Sequence, residues 1–292
     1  MLHCAGSRGS RMFFRGALTL ALLVAAACTS NEPIRPDPGG AAGPSCPSGR
    51  GPRMVAIVLP GVASFCIDST EVSQAQYAQF LAAKVDPAKQ SRDLCVKRNL
   101  TFEPLVNVGP EDWKGCPPGI WAPETRGEMP ASCVDHCDAV AFCEWAGKRL
   151  CGAIGGGPRP ADEKDVYPGN SEWYLACSQG GKYKYPYGDT YEDGKCVDPP
   201  GAGEPGQLTG TFSPRAAGPS ACHGQEPPFD GLFEMVGNVS EWDDHCRAEG
   251  LCSVRGGGGE AVPAIDCTSI AETSAHNSAF LGFGIRCCAD YK

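Results

Sequence analysis

Little in this chain of 292 residues advertises catalysis. Only five histidines are present and they are scattered. No Gly-x-Ser-x-Gly elbow occurs, and the run Gly256–Gly259 lacks the Lys-Ser/Thr that a phosphate-cradling loop requires. That argues against a serine hydrolase and a nucleotide phosphatase. Basic residues are outnumbered, 25 against 34 acids, for a net charge of −9. A nucleic-acid partner is therefore not expected. No EF-hand spacing is present, and no apolar run after residue 27 is long enough to cross a membrane. Nor does any linker or repeat divide residues 46–292, which read as one domain.

What the chain has in quantity is cysteine, glycine and proline: 18, 38 and 26. The N-terminal 1–27 carries Arg8, Arg11 and Arg15, no acid, and then the apolar run 17–27, the pattern of an export signal. Ala25-Ala26-Ala27 before Cys28 has the form of a lipoprotein cleavage site, so Cys28 is expected to carry a lipid. Residues 28–45 form a Pro/Gly-rich tether. Thr29 and Ser30 supply no acid that would retain the protein at an inner membrane, so the expected location is the outer membrane of a bacterial envelope. Loss of the signal takes three arginines and leaves a charge of about −12. Cys4 goes with the signal and Cys28 with the lipid, and the remaining 16 cysteines are an even number in an exported chain, favouring disulfides.

Periodicity predicts strands over 54–59 and 65–68, then a helix capped by Ser73 and Gln76 with Tyr77, Phe80 and Leu81 on one face. Residues 88–131 read as turns, held by a disulfide more than by regular structure. Asp135 or Asp138 caps a helix over 139–146, and a third helix runs over about 171–177. Short strands are expected at 183–189, 231–238, 252–257 and 282–288. The fold class is α+β with little regular structure.

The densest stretch is Gly231-Leu-Phe-Glu-Met-Val-Gly-Asn-Val-Ser-Glu-Trp242. It sets Glu234, Asn238, Glu241, Asp243 and Asp244 around a Gly237-Asn238 turn. Such oxygens suit calcium, although solvated acids at a turn fit the same residues. His136, His223, His245 and His276 could pair with acids, Asp135-His136 and Asp243-Asp244-His245 being nearest, but they read as surface histidines.

This stretch, with Cys143-Glu-Trp-Ala-Gly-Lys-Arg-Leu150, Val254-Arg-Gly-Gly-Gly258 and Gly284-Ile-Arg-Cys-Cys288, resembles the formylglycine-generating enzyme family, or sulfatase-modifying factors. Asp68–Phe80, Ser171–Tyr174 and Tyr185–Gly188 add to the likeness, in the family's order, over roughly 46–290. The resemblance implies a formylglycine-generating-enzyme-like fold, related to C-type lectins. It also implies oxidation of a sulfatase cysteine on copper held by two cysteines between Gly256-Gly257 and Cys267. Here Gly256–Asp266 contains no cysteine, histidine or methionine, which argues against copper and against the oxidase.

The resemblance further implies calcium held by the Glu234 side chain and the carbonyls of Met235, Gly237 and Val239. A second family calcium site would need an Asn where Val197 stands, with Asp198 one place off. By family position, Cys143 pairs with Cys287 and Cys177 with Cys267. Local geometry and the resemblance together suggest Cys246–Cys252, Cys196–Cys222, Cys46–Cys66 and Cys95–Cys116. Cys133, Cys137, Cys151 and Cys288 are left without assigned partners.

The expected function is thus a lipid-anchored, non-catalytic binding or scaffold module facing a protein, peptide or glycan partner. Two alternatives stand beside it: the oxidase itself, and calcium-dependent glycan binding by analogy with the lectin-like fold.

Overall fold

In a computed structural model, residues 45–106, 118–161, 168–197, 216–247, 250–257, 265–274, 279 and 282–292 are described. The export signal, Cys28, the tether up to residue 44, Cys116, Asp198, residues 258–264 and His276 lie outside them. No helix among the described residues is long and apolar enough to cross a membrane.

Strands β1 (Met54–Ile57) and β2 (Phe65–Asp68) form an antiparallel pair, and β2 pairs in turn with β8 (Cys287–Asp290). The short β3 (Arg149–Leu150) completes a sheet of order β1-β2-β8-β3. A second sheet, of order β6-β5-β4-β7, is built from β4 (Ser240–Cys246), β5 (Leu251–Arg255), β6 (Ile270–Ser274) and β7 (Phe283–Gly284).

Helix α1 (Gln74–Ala82) begins where the sequence says it should. Ser73 accepts from the Gln76 N–H while the Gln76 side chain accepts from the Ser73 N–H, so two orphan donors are satisfied at once. The helix stops at Ala82, before Pro87, with Lys84 at φ 50°. Helix α4 (His136–Trp145) is capped by the reciprocal pair Asp135 and Asp138, and its first eight residues are all buried. That fits its mixed sequence: a helix covered on every side has no polar face to display. Phe142 of α4 stacks on Tyr77 of α1 at 5.7 Å and meets Phe80 edge-on at 5.9 Å. These rings, with Trp242, Val254 and Ile285, form one core. The other core lies under Val55, Ile57, Phe65 and Ile67, closed by Trp173 and Leu175 of α5 (Glu172–Cys177) and by Leu232, Met235 and Val236.

Three expectations need correction. Residues 183–189 form no strand but a turn closed by an isolated bridge between Tyr185 and Gly188. The stretch 88–131 holds two short helices, α2 (Asp93–Arg98) and α3 (Pro123–Arg126). The run 231–238 is no strand: a 3₁₀ turn at Phe229–Gly231 leads into bends, and the strand begins only at Ser240.

Disulfides join Cys46–Cys66, Cys143–Cys287, Cys177–Cys267, Cys196–Cys222 and Cys246–Cys252. Cys95 bonds not to Cys116 but to Cys137, with Cα atoms 5.4 Å apart, because α2 packs its Cys95 against the first turn of α4. Cys151 bonds to Cys288. The neighbours Cys287 and Cys288 point to opposite faces of β8, as alternate strand residues must. One bridge therefore enters each core.

Candidate functional site

The Gly237–Asn238 turn is held by backbone on two sides. The Gly237 N–H donates to the Gly256 carbonyl at 2.8 Å, and the Asn238 N–H donates to the Val197 carbonyl at 3.0 Å. Gly237 has φ +83°, and a Cβ there would stand 2.5 Å from the Val197 oxygen. Only glycine fits such an approach. Glu234 and Asn238 also take positive φ, 51° and 56°, so three of five consecutive residues are left-handed. That is why the apolar run does not extend into a strand.

Beneath the turn lies a buried charge network. Arg286 donates from Nε to both carboxylate oxygens of Glu241, at 2.8 and 2.9 Å, and from Nη1 and Nη2 to the carbonyls of Asp68 and Phe233. Trp173 Nε1 donates to Glu241 at 2.6 Å. Asn238 Nδ2 donates to Glu71 Oε1 at 2.7 Å, while Glu71 Oε2 has Arg286 only at 3.9 Å. Glu234, also buried, accepts from the Val197 N–H at 3.2 Å. Burial pushes the Glu71 carboxyl up to about 8, against the pull of Arg286 and with the push of Glu241 and Glu234. Asp68 is raised to about 6 by burial, opposed by Lys148 at 2.6 Å.

The acids expected to be solvated are buried instead. In β4, Asp243 accepts from Arg255 Nε at 2.6 Å and Arg159 Nη1 at 3.2 Å, and Asp244 meets Arg92 at 2.7 Å. The nearby histidines are likewise no surface groups: His136 and His245 are 3% and 0% exposed. His245 Nδ1 lies 3.0 Å from Ser253 Oγ. Desolvation, with Arg92 adding, brings the His136 imidazole down to about 4. His223 Nδ1 lies 2.6 Å from the Gly224 carbonyl. The partners that sequence reasoning overlooked are Arg159, Arg255 and Arg286. Arg255 carried a signal, an arginine ending the short strand β5, and Arg286 stands between an isoleucine and two cysteines, places that only a buried pair tolerates, whereas Arg159 in a Gly/Pro-rich stretch carried none.

Copper does not fit the described residues. All fifteen described cysteines are disulfide-bonded, Cys252 and Cys267 among them, so none is a thiolate. Gly256 and Gly257, which open the segment where the family places its ligands, are tightly enclosed. Cβ atoms on them would stand 2.7 Å from the Met235 oxygen and 2.6 Å from Ile265. The carboxyl groups of Glu71, Glu234 and Glu241 crowd around Arg286, and the proton that burial keeps on Glu71 relieves part of their mutual repulsion.

The family model of the sulfatase-modifying factor enzyme 1-like domain matches residues 57–291. A formylglycine-generating enzyme of Mycobacterium tuberculosis is 26% identical over 215 residues, 62% of this chain and 63% of that protein. One from Thermomonospora curvata is 28% identical over 216 residues, 66% of this chain and 62% of that protein. The chain thus spans under two thirds of the length of these curated relatives. The crystal structure of CarF superposes with a TM-score of 0.50 at 18% identity, covering 83% of this chain and 98% of that one. That likeness concerns the fold alone.

Proposed function

The chain belongs to the sulfatase-modifying factor enzyme 1-like domain family, and on that premise we propose that it is a non-catalytic binding or scaffold module, lipid-anchored at the cell envelope. The observation that carries this reading is the state of the cysteines. Oxidation of a peptide cysteine by the family's chemistry needs a soft cation on two thiolates. Here every described cysteine is committed to a disulfide, and Gly256–Asp266 contains no soft ligand. What the fold keeps is its charge network and its turn, which position backbone without presenting a nucleophile. Cys28, behind an arginine-bearing export signal and before a Pro/Gly-rich tether, supports envelope attachment.

Calcium enters this proposal as a structural ion, held by the Glu234 carboxylate and the carbonyls of Met235, Gly237 and Val239. It would offset the buried acids and fix the turn.

The test supplies the chain with copper, oxygen, a thiol reductant and a peptide bearing Cys-x-Pro-x-Arg, and follows aldehyde formation by mass spectrometry. No conversion above a copper-only control is expected. Conversion by the protein would overturn the non-catalytic reading.

A further inference from the structure

One corner of the molecule, where α4 meets the β4–β5 hairpin, gathers sulfur around an imidazole and takes no part in the family's chemistry. His136 opens α4, is 3% exposed, and stands edge-on to Trp242 with ring centroids 5.7 Å apart. Its Nε2 lies 3.4 Å and its Nδ1 3.9 Å from Cys246 Sγ. Ligand atoms of His136, Cys246 and Cys252 all fall within 4.8 Å of one another, as do those of His136, Cys95 and Cys137. One histidine thus stands beside two disulfides.

We propose that His136, Cys246 and Cys252 form a redox-gated site for a thiophilic divalent cation of the zinc class. With the bridge closed, the two sulfurs are bonded to each other and no thiolate exists. A dithiol reductant opens it in two exchanges. One of its thiolates attacks Cys246 Sγ, forming a mixed disulfide and expelling Cys252 as a thiolate. The second then displaces the Cys246 sulfur, and the reductant leaves as its own disulfide. Two electrons pass to the cysteines, which bind the cation as thiolates after releasing their protons to solvent.

The geometry suits this. Tetrahedral zinc with Zn–S of about 2.3 Å and Zn–N of about 2.05 Å sets sulfur and nitrogen about 3.5 Å apart. The Nε2–Sγ distance here is 3.4 Å. The two sulfurs must move apart to about 3.8 Å, and a hairpin end closed by cysteines six residues apart is a small segment to adjust. Cys246 is half-buried and open to a reductant, as is Cys46 of the distant Cys46–Cys66 bridge, whereas Cys95 and Cys137, the other bridge beside His136, are 2% and 0% exposed. Three protein ligands leave a fourth position for water.

The experiment treats the intact chain with graded dithiothreitol, maps thiols by alkylation and mass spectrometry, and adds Zn(II) or Cd(II) without oxygen. Cys246 and Cys252 should be labelled before Cys95 and Cys137. The reduced chain should take up one equivalent of Zn(II), show a thiolate-to-Cd(II) charge-transfer band, and become protected from alkylation at both residues. The oxidised chain should bind none. His136→Gln should leave the bridge reducible and weaken Zn(II) at least about tenfold. Should that variant fail to fold, Cys246→Ala/Cys252→Ala serves instead and must abolish uptake, while Cys95→Ala/Cys137→Ala must keep it. Earlier reduction of Cys95–Cys137, no uptake by the reduced chain, or uptake that survives Cys246→Ala/Cys252→Ala would each overturn the proposal.

Discussion

Glu71 and Arg286 set the electrostatics beneath the Gly237–Asn238 turn. A carboxyl raised to about 8 when folded, from 4.5 when exposed, holds its proton in the native state over a range where the unfolded chain has lost it. Between those values the native state binds more protons, so stability falls as pH rises through the window and levels off above it. Glu71→Gln mimics the protonated form and should flatten that fall. Urea midpoints at about pH 5 and pH 8 in calcium-free buffer would check it. Arg286→Ala strands Glu241 in the interior and should destabilise by about 3–5 kcal/mol, read from the same urea curves. Sequence pattern showed that acids cluster after Asn238 but not that they are buried. Asp243 is buried against Arg255 on the neighbouring strand and Arg159, 84 residues away in the chain, and no local periodicity reports a partner at that distance.

At the scale of elements, local chemistry was legible where it was self-sufficient. Ser73 with Gln76 fixes the start of α1 because both halves of the cap lie within four residues. Cys246 and Cys252 face each other across paired strands, so their bridge too was readable. Helix α2 was not, being a six-residue piece in a turn-rich stretch, tied by Cys95 to the start of α4. Nor was the late start of β4, because an apolar run normally extends as a strand unless positive φ values interrupt it, and only Gly237 announced one. Gly237→Ala should therefore be costly: a left-handed φ for alanine adds on the order of 1–3 kcal/mol, and the Cβ clash with the Val197 carbonyl adds to that. A fall of several degrees in melting temperature would check it, and a neutral substitution would contradict the close approach.

Across the whole molecule, bridges replace the regular structure that the chain lacks. Cys143–Cys287 and Cys151–Cys288 close loops of 144 and 137 residues on adjacent positions of one strand. Each such long-range bridge contributes on the order of 2–4 kcal/mol by restricting the unfolded chain. If calcium binds as proposed, chelation should lower the melting temperature and added calcium restore it, since an ion that binds only the folded state stabilises it by mass action. Unchanged melting under both conditions would remove calcium from the account. The family was legible because its motifs occur in order along the chain. The missing copper ligands were legible because cysteine is absent from one short segment.

The central claim is that a familiar scaffold carries no thiol pair for copper. Its most direct measurement is alkylation of the native, oxidatively folded protein under denaturing but non-reducing conditions, with each labelled residue identified by mass spectrometry. The account predicts no label on any of the fifteen described cysteines. Two labelled cysteines that together take up one equivalent of Cu(I) would contradict it.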